Sequence, residues 1–253
     1  MKMYKIWNVG KIVGLVLMLA VSIGLVEKNY RSRTCTAINV NISNQYQNYF
    51  INESDVIDLL TDGGDRQIVG AAFEDLDLKQ LESSLLDTKF VHNAEVFKNL
   101  EGTLTINIDQ SRPIARLMSK KLNDRYISSD GKVLPLSKRY TARVVLIDGT
   151  FADNASLYDL TEKAMDRQLM DLLYFIDSDP FWKAQIAQLN IDKKGNIKMH
   201  TQVSKQVVEF GKPENIENKF NRLKIFYKDI LPAKGWNSYK RVSVKFNDQI
   251  VCE

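Results

Sequence analysis

Apolar and polar residues repeat with two periods along this chain, and the switches between them mark its elements. In TAINVNI (36–42) every second residue is apolar, the signature of a half-buried strand. Asn52 stands three residues before Asp55, which predicts a helix N-terminus leading into Val56, Leu59 and Leu60. DGGD (62–65) stops that helix as a turn: no apolar strand precedes it and no Lys-Ser/Thr follows, so it lacks the form of a phosphate loop. DLKQLESSLLDT (77–88) puts Leu78, Leu81 and Leu85 on one stripe of a second helix. FVHNAEVF (90–97) and GTLTINI (102–108) then alternate as two strands joined by KNLEG. Strand, helix, helix, strand, strand is the order of a compact α+β unit with two helices on a three-stranded sheet.

Pro113, in SRPIA (111–115), marks a boundary, because a residue without an N–H belongs at a strand end or edge. Beyond it RYISSDGKVLPL predicts a hairpin turned on Asp130-Gly131, and RVVLIDG (143–149) a buried strand. Met165, Leu169, Leu172 and Ile176 recur at helical spacing over 161–177. IAQLNIDKKGNIKMHTQ reads as another hairpin and VVEF as one more strand. Pro213 opens a helix carrying Ile216, Phe220, Leu223 and Ile230, which Pro232 and Gly235 end. Last comes YKRVSVKFNDQIVCE, with Val242, Val244 and Phe246 facing one way and Arg241, Ser243 and Lys245 the other.

Near the other end, residues 12–26 read IVGLVLMLAVSIGLV, with Ser22 the one polar member. As a helix from Ile6 the segment reaches 21 residues, enough to span a bilayer if Lys11 snorkels outward, with Trp7 and Tyr30 near the two interfaces. No A-x-A cleavage pattern follows, so an uncleaved anchor is expected rather than a signal peptide. Lys2, Lys5 and Lys11 favour a cytosolic N-terminus and a single-pass protein with a large external body.

Composition changes this picture little. The 253 residues are 44% hydrophobic and 26% charged, the profile of a globular chain. The net charge of +4 belongs largely to the N-terminus: setting aside the three lysines of residues 1–26 from the 35 basic residues leaves 32, against 31 acidic ones. A basic face for nucleic acid is not expected. Cys35 and Cys252 are separated by most of the chain; a disulfide is permitted in an oxidising compartment, and two free thiols are the simpler reading.

Candidate chemistry is sparse. His92 and His200 each lie in a predicted strand with no other ligand at metal-binding spacing. No G-x-S-x-G occurs. Glu53, Asp55 and Asp58, and Glu74, Asp75 and Asp77, sit at or near helix N-termini, where orphan N–H groups account for them. DKKGN (192–196) lacks the ligand run of a calcium loop. The expectation is a binding protein, with no catalytic residue, metal, cofactor or small-molecule substrate.

FVHNAEVFKNLEGTLTINIDQSRPIARL (90–117), RYISSDGKVLPLS (125–137) and YKRVSVKFNDQIVC (239–252), in that order behind a short basic tail and one apolar segment, resemble the bacterial cell-division family FtsQ/DivIB in its Bacteroidetes form. Residues 90–117 are similar to the closing strands of the family's POTRA domain and the join to its β domain. Residues 125–137 resemble the hairpin that opens the β domain, and residues 239–252 its last strand. Asp109, Gln110, Ser111 and Arg112 dilute the acidic-basic pair that often precedes the family's proline. The resemblance implies a cytosolic tail over 1–11, an anchor with its flank over 12–30, a POTRA-like domain over 31–113 and a β domain over 114–253. The fold class is α+β: one N-terminal transmembrane helix, a POTRA-like β-α-α-β-β domain, then a strand-rich domain with two long helices.

By the same resemblance the protein is a non-catalytic scaffold of the inner (cell) membrane at the division septum, held in the bilayer by residues 12–26. It would dock the ectodomains of FtsB/DivIC-like and FtsL-like coiled-coil proteins, meet other membrane proteins of the division machinery, and so couple to septal peptidoglycan synthesis. Docking would use the last helix, through Arg222 and Tyr227, and an open edge over Tyr239, Arg241, Val242, Ser243, Val244, Lys245 and Phe246 that accepts a partner strand. Arg241, Ser243 and Lys245 would read an acidic segment; on residues alone, Arg241 and Lys245 serve equally as charges that discourage edge pairing. Arg112, Pro113 and Ala115 would serve recruitment or the angle between domains. Two rival readings remain: an envelope-assembly or secretion POTRA chaperone, which calls for repeats or a barrel, and an anchored hydrolase with a carboxylate pair.

Overall fold

The computed structural model describes residues 14–23, 34–43, 49–155, 159–161, 163–203 and 205–253. Residues 14–23 form helix α1, exposed along its length. No helix among the described residues is long and apolar enough to cross a membrane; both ends of the expected span lie outside them. The rest divides into two compact units, with the break between Gln110 and Ser111.

The first unit has the expected order. β1 (Ala37–Ser43) leads to α2 (Glu53–Leu60), a 3-10 turn (Asp62–Gly64), α3 (Leu78–Leu86), β2 (Val91–Lys98) and β3 (Thr103–Gln110). The strands lie in the order β1-β3-β2, β1 parallel and β2 antiparallel to β3. Asn52 starts α2 through a reciprocal cap: its side chain accepts the Asp55 N–H at 2.9 Å, and Asp55 accepts the Asn52 N–H at 2.9 Å. Because β3 is central, Leu104, Ile106 and Ile108 are fully buried, as are Val56, Leu60, Leu81 and Leu85 from the two helices. Gln110 closes the unit, its Oε1 accepting the Phe50 and Ile51 N–H groups at 3.2 Å each.

In the second unit β4 (Pro113–Leu117), β5 (Arg125–Ser128), β6 (Val133–Pro135), β7 (Val145–Asp148), α4 (Thr150–Ala155), α5 (Ala164–Ser178), α6 (Pro180–Gln185), β8 (Ile186–Ile191), β9 (Ile197–Thr201) and β10 (Val207–Gly211) precede α7 (Ile216–Ile225). A π-helical turn (Phe226–Ile230), α8 (Leu231–Lys234), β11 (Arg241–Ser243) and β12 (Val251–Cys252) complete it. The nine strands run β12-β11-β10-β9-β8-β7-β4-β5-β6. Both expected hairpins form, at Gly131 (φ 81°) and Gly195 (φ 79°). Leu172 and Ile176 of α5, Trp182 of α6 and Phe220 and Leu223 of α7 share one core with Leu189, Met199, Phe210 and Val242 of the sheet.

Pro113 opens β4, a strand end as expected, where its missing N–H is tolerated beside a register shift. Two expectations change. Pro232 does not end the last helix: the π turn widens the coil just before it, Pro232 falls in the first turn of α8, and Gly235 (φ 99°) makes the stop. The second, the terminal strand, belongs to the site below.

Gly149 joins β7 to α4 at φ 93°, where an added Cβ would lie 2.4 Å from the Ile191 carbonyl oxygen. Gly149→Ala is expected to destabilise the fold by about 2–3 kcal/mol, read as a lower urea midpoint at unchanged slope.

Candidate partner-docking site

Val242 and Val244 are the two fully buried apolar residues of the closing stretch. Their burial follows from β11 lying parallel to β10, with Val208 opposite Val242 and Glu209 opposite Ser243. The ladder continues one step further, as the Val244 N–H donates to the Glu209 carbonyl at 3.0 Å.

The outer side of β11 is not open. The chain reverses through Asn247 and Asp248 (φ 56°) and returns as β12, antiparallel to β11, with Cys252 opposite Val242 and Val251 opposite Ser243. The Glu253 carbonyl accepts the Lys240 N–H at 2.6 Å and the Arg241 N–H at 3.0 Å, while the Glu253 N–H donates to the Arg241 carbonyl at 2.9 Å. The expected free edge from Tyr239 to Phe246 is therefore corrected. Only Arg241–Ser243 is strand, its outer side is occupied by the chain's own last residues, and the outermost strand is the two-residue β12. Phe246 leaves the strand's plane at the reversal and is exposed instead of facing inward with Val242 and Val244.

The expected reading residues already have partners within the chain. Arg241 pairs with Glu253 and, at 3.8 Å, with Glu209; Lys245 reaches Glu209 at 3.2 Å and lies 4.9 Å from the Phe246 ring centre. The register explains the shared acid: Glu209 stands opposite Ser243, so residues two positions either side of Ser243 meet it on one face. Ser243 itself is buried, and its Oγ finds no hydrogen-bond partner among the described residues.

Arg222 takes the largest part in closing this end. From α7 its Nη1 donates to the carbonyls of Phe246 at 2.5 Å and Gln249 at 2.7 Å, and its Nη2 to that of Val244 at 3.0 Å. The planar fork thus spans the whole reversal, which a lysine ammonium could not do. Tyr227 and Tyr239 are packing residues. The Tyr227 ring lies 6.1 Å from that of Trp182 and 5.6 Å from that of Phe226, and the Tyr239 ring lies 6.0 Å from Phe226.

Two surfaces flank this closure. A polar trough of about 740 Å³ lies between α7 and the reversal, lined by Asn218, Asn221, Ile225, Asn247 and Asp248 among others. An apolar groove of about 320 Å³ carries the exposed rings of Phe181 and Trp236, with Lys224 and Lys228 beside Tyr227. Sequence reasoning missed both, since each is assembled from separate segments and has no local signature. Lys219 was missed as well: it is buried in α7, donates to the Lys212 carbonyl at 2.7 Å and lies over the Phe210 ring. Burial pulls its pKa down, against the pull of Glu214.

The other group of expected site residues, Arg112, Pro113 and Ala115, lies at the start of β4. Pro113 and Ala115 are buried, Ala115 between Ile127 and Val145, so neither offers a side chain to a partner. Arg112 is half-exposed and pairs with Asp177, which Lys183 also meets at 2.7 Å. Burial would raise the Asp177 carboxyl, but hydrogen bonds from Lys183 and Arg112, with their charges, outweigh it and hold the pKa below the ordinary carboxylate value. Among the described residues no cluster could hold a metal ion.

A family model described as FtsQ/DivIB, C-terminal related, matches residues 112–253, and one described as a POTRA-like domain matches residues 33–109. A search of curated proteins gave no match.

Two outcomes are expected. Arg222→Lys should leave the fold intact but loosen its end, losing ~1–2 kcal/mol of hold, so that amides of 241–243 and 251–253 exchange about tenfold faster. Asp177 has a folded pKa below its unfolded value of about 3.9, so it stabilises above that pH and the contribution is lost as pH falls through the lowered value. Asp177→Asn should therefore flatten the loss of stability below about pH 4, measured by urea unfolding across that range.

Proposed function

This chain belongs to the FtsQ/DivIB family, and from that premise we propose that it docks the ectodomains of FtsB/DivIC-like and FtsL-like coiled-coil proteins at the β11 end of its second unit. Its two matched domains are those of a division-related scaffold. In this reading residues 12–26 anchor the protein in the inner membrane with a cytosolic N-terminus. The folded units lie outside the cytosol at the division septum, and docking couples them to septal peptidoglycan synthesis. The scaffold holds its partners in place and catalyses nothing.

One observation carries the docking mode: β11 is closed on its outer side by a strand of two residues. Two residues are too few to template a partner strand, whereas β11 and its flanks offer a longer run. The partner therefore replaces β12 instead of extending it. Main-chain bonds lost with the tail are regained with the partner, so the exchange costs little beyond freeing the Arg222 fork. Glu253 occupies the place that an acidic partner residue takes beside Arg241. The released fork and the polar trough along α7 are then available to the incoming segment.

The test is a titration of purified chain with the ectodomain pair. A chain ending at Asp248 lacks the competing strand and is expected to bind more tightly, on the order of tenfold. Ser243→Pro removes the main-chain donor that alternation aims at the β12 side, since the Arg241 N–H already points there and the Val244 N–H points to β10. It should weaken capture without unfolding the domain. Unchanged affinity in both variants would refute strand replacement.

A further inference from the structure

The first unit ends its sheet differently. β1 is seven residues long, AINVNIS, and pairs on one side with β3. The Thr36 N–H donates to the Gly102 carbonyl, on the β3 side, at 2.8 Å. Alternation then turns the main-chain groups of Ala37, Asn39, Asn41 and Ser43 outward. Cys35, the preceding outward residue, is already taken: its N–H donates to the Ala71 carbonyl at 2.8 Å and its carbonyl accepts from the Gly70 N–H at 2.7 Å. From Ala37 onward no strand pairs on that side among the described residues, and the Ala37 carbonyl meets only the Cys35 thiol at 3.5 Å.

Nothing in β1 blunts this edge. It holds no charge, no proline and no bulge, the devices that ordinarily keep an exposed edge from pairing. Its sequence is also symmetric about Val40. Asn39 and Asn41 flank the centre, Ile38 and Ile42 come next, and the small residues Ala37 and Ser43 close the run. A strand that reads alike in both directions is complementary to itself when antiparallel.

We propose that β1 pairs with β1 of a second copy of this chain about a two-fold axis at Val40, joining two three-stranded sheets into one of six. In this register Asn39 faces Asn41 and Ala37 faces Ser43, so every outward N–H and C=O meets its counterpart. Ile38, Val40 and Ile42, half-buried in one copy, meet Ile42, Val40 and Ile38 of the other. On the opposite face the asparagines continue a row that Asn41 already begins, its Nδ2 donating to Asn107 Oδ1 at 3.0 Å. The interface is isologous and closes as a dimer, leaving no further β1 edge to recruit a third copy. The open interval begins at Ala37 and β1 ends at Ser43, so the two strands are matched in length. The β1 pairing is independent of the docking proposed for the second unit.

The test is the mass of the full chain in detergent by light scattering across a concentration series. The unaltered chain is expected to dimerise. Asn39→Lys with Asn41→Lys sets lysine opposite lysine twice across the axis and should weaken the dimer at least tenfold. Asn39→Lys with Asn41→Glu sets lysine opposite glutamate twice and should restore it, with both variants melting like the parent. A monomeric parent, a dimer indifferent to the two lysines, or a folded Lys/Glu variant that stays monomeric would each overturn the pairing.

Discussion

A strand that joins its neighbour in parallel must be fed by a crossover, and the β10-to-β11 step carries the consequences for this end of the molecule. The crossover is α7 with its π turn and α8, which must lie over the sheet to bring the chain back to the same end. That places Phe220, Leu223 and Phe226 in the core and leaves Arg222 at the helix's margin, facing the residues after β11. Beyond Val242 and Val244 the chain forms a reversal held by the Arg222 fork and a short antiparallel return. Arg222, Glu209 and Glu253 thus organise the same few residues from three directions.

Sheet ends show what a protein permits to pair. At one end of the nine-stranded sheet lies β6, three residues finishing in Pro135, which has no N–H to offer. At the other end lies β12, two residues backed by a fork and ion pairs. Both are short, in keeping with edges managed against unwanted association. The β1 edge in the first unit has neither treatment. Exposed strand edges are selected against unless something covers them, so an unprotected seven-residue edge calls for an occupant, and its sequence symmetry suggests which one.

Most of the fold was legible because its elements obey simple periods. Leu104, Ile106 and Ile108 alternate, Leu81 and Leu85 repeat at helical spacing, and Asn52 with Asp55 forms the cap that its spacing predicts. The failures are of two physical kinds. Pro232 reads as a stop because sequence cannot show a π turn, which depends on packing around Phe226 and Tyr227. The free terminal edge was what the family resemblance implied for a strand read from alternation. Alternation reports which face a residue takes, not what lies beside the strand. The reach of Arg222 carried no signal at all, since its acceptors are backbone carbonyls and backbone carbonyls have no letter in the sequence. Glu209 was hidden for a related reason: its importance lies in a register with Ser243 that forms only when the sheet does.

In the proposed reading, a site made of backbone and register accounts for a chain that shows fold so plainly and chemistry so faintly. Catalysis needs particular side chains at particular distances and leaves motifs; strand pairing needs main-chain donors in register, and any residue except proline supplies them. Specificity then rests on a few flanking side chains whose types are common on any surface, such as Arg241 and Lys245. A surface of that kind is found by asking which backbone groups are committed and how strongly. At β11 they are committed to a short return of the chain, Val251 to Glu253. In the proposed docking, so short a closure protects the edge from indiscriminate pairing while a longer strand with the same bonds to offer can replace it, and specificity comes from the difference between the two ladders.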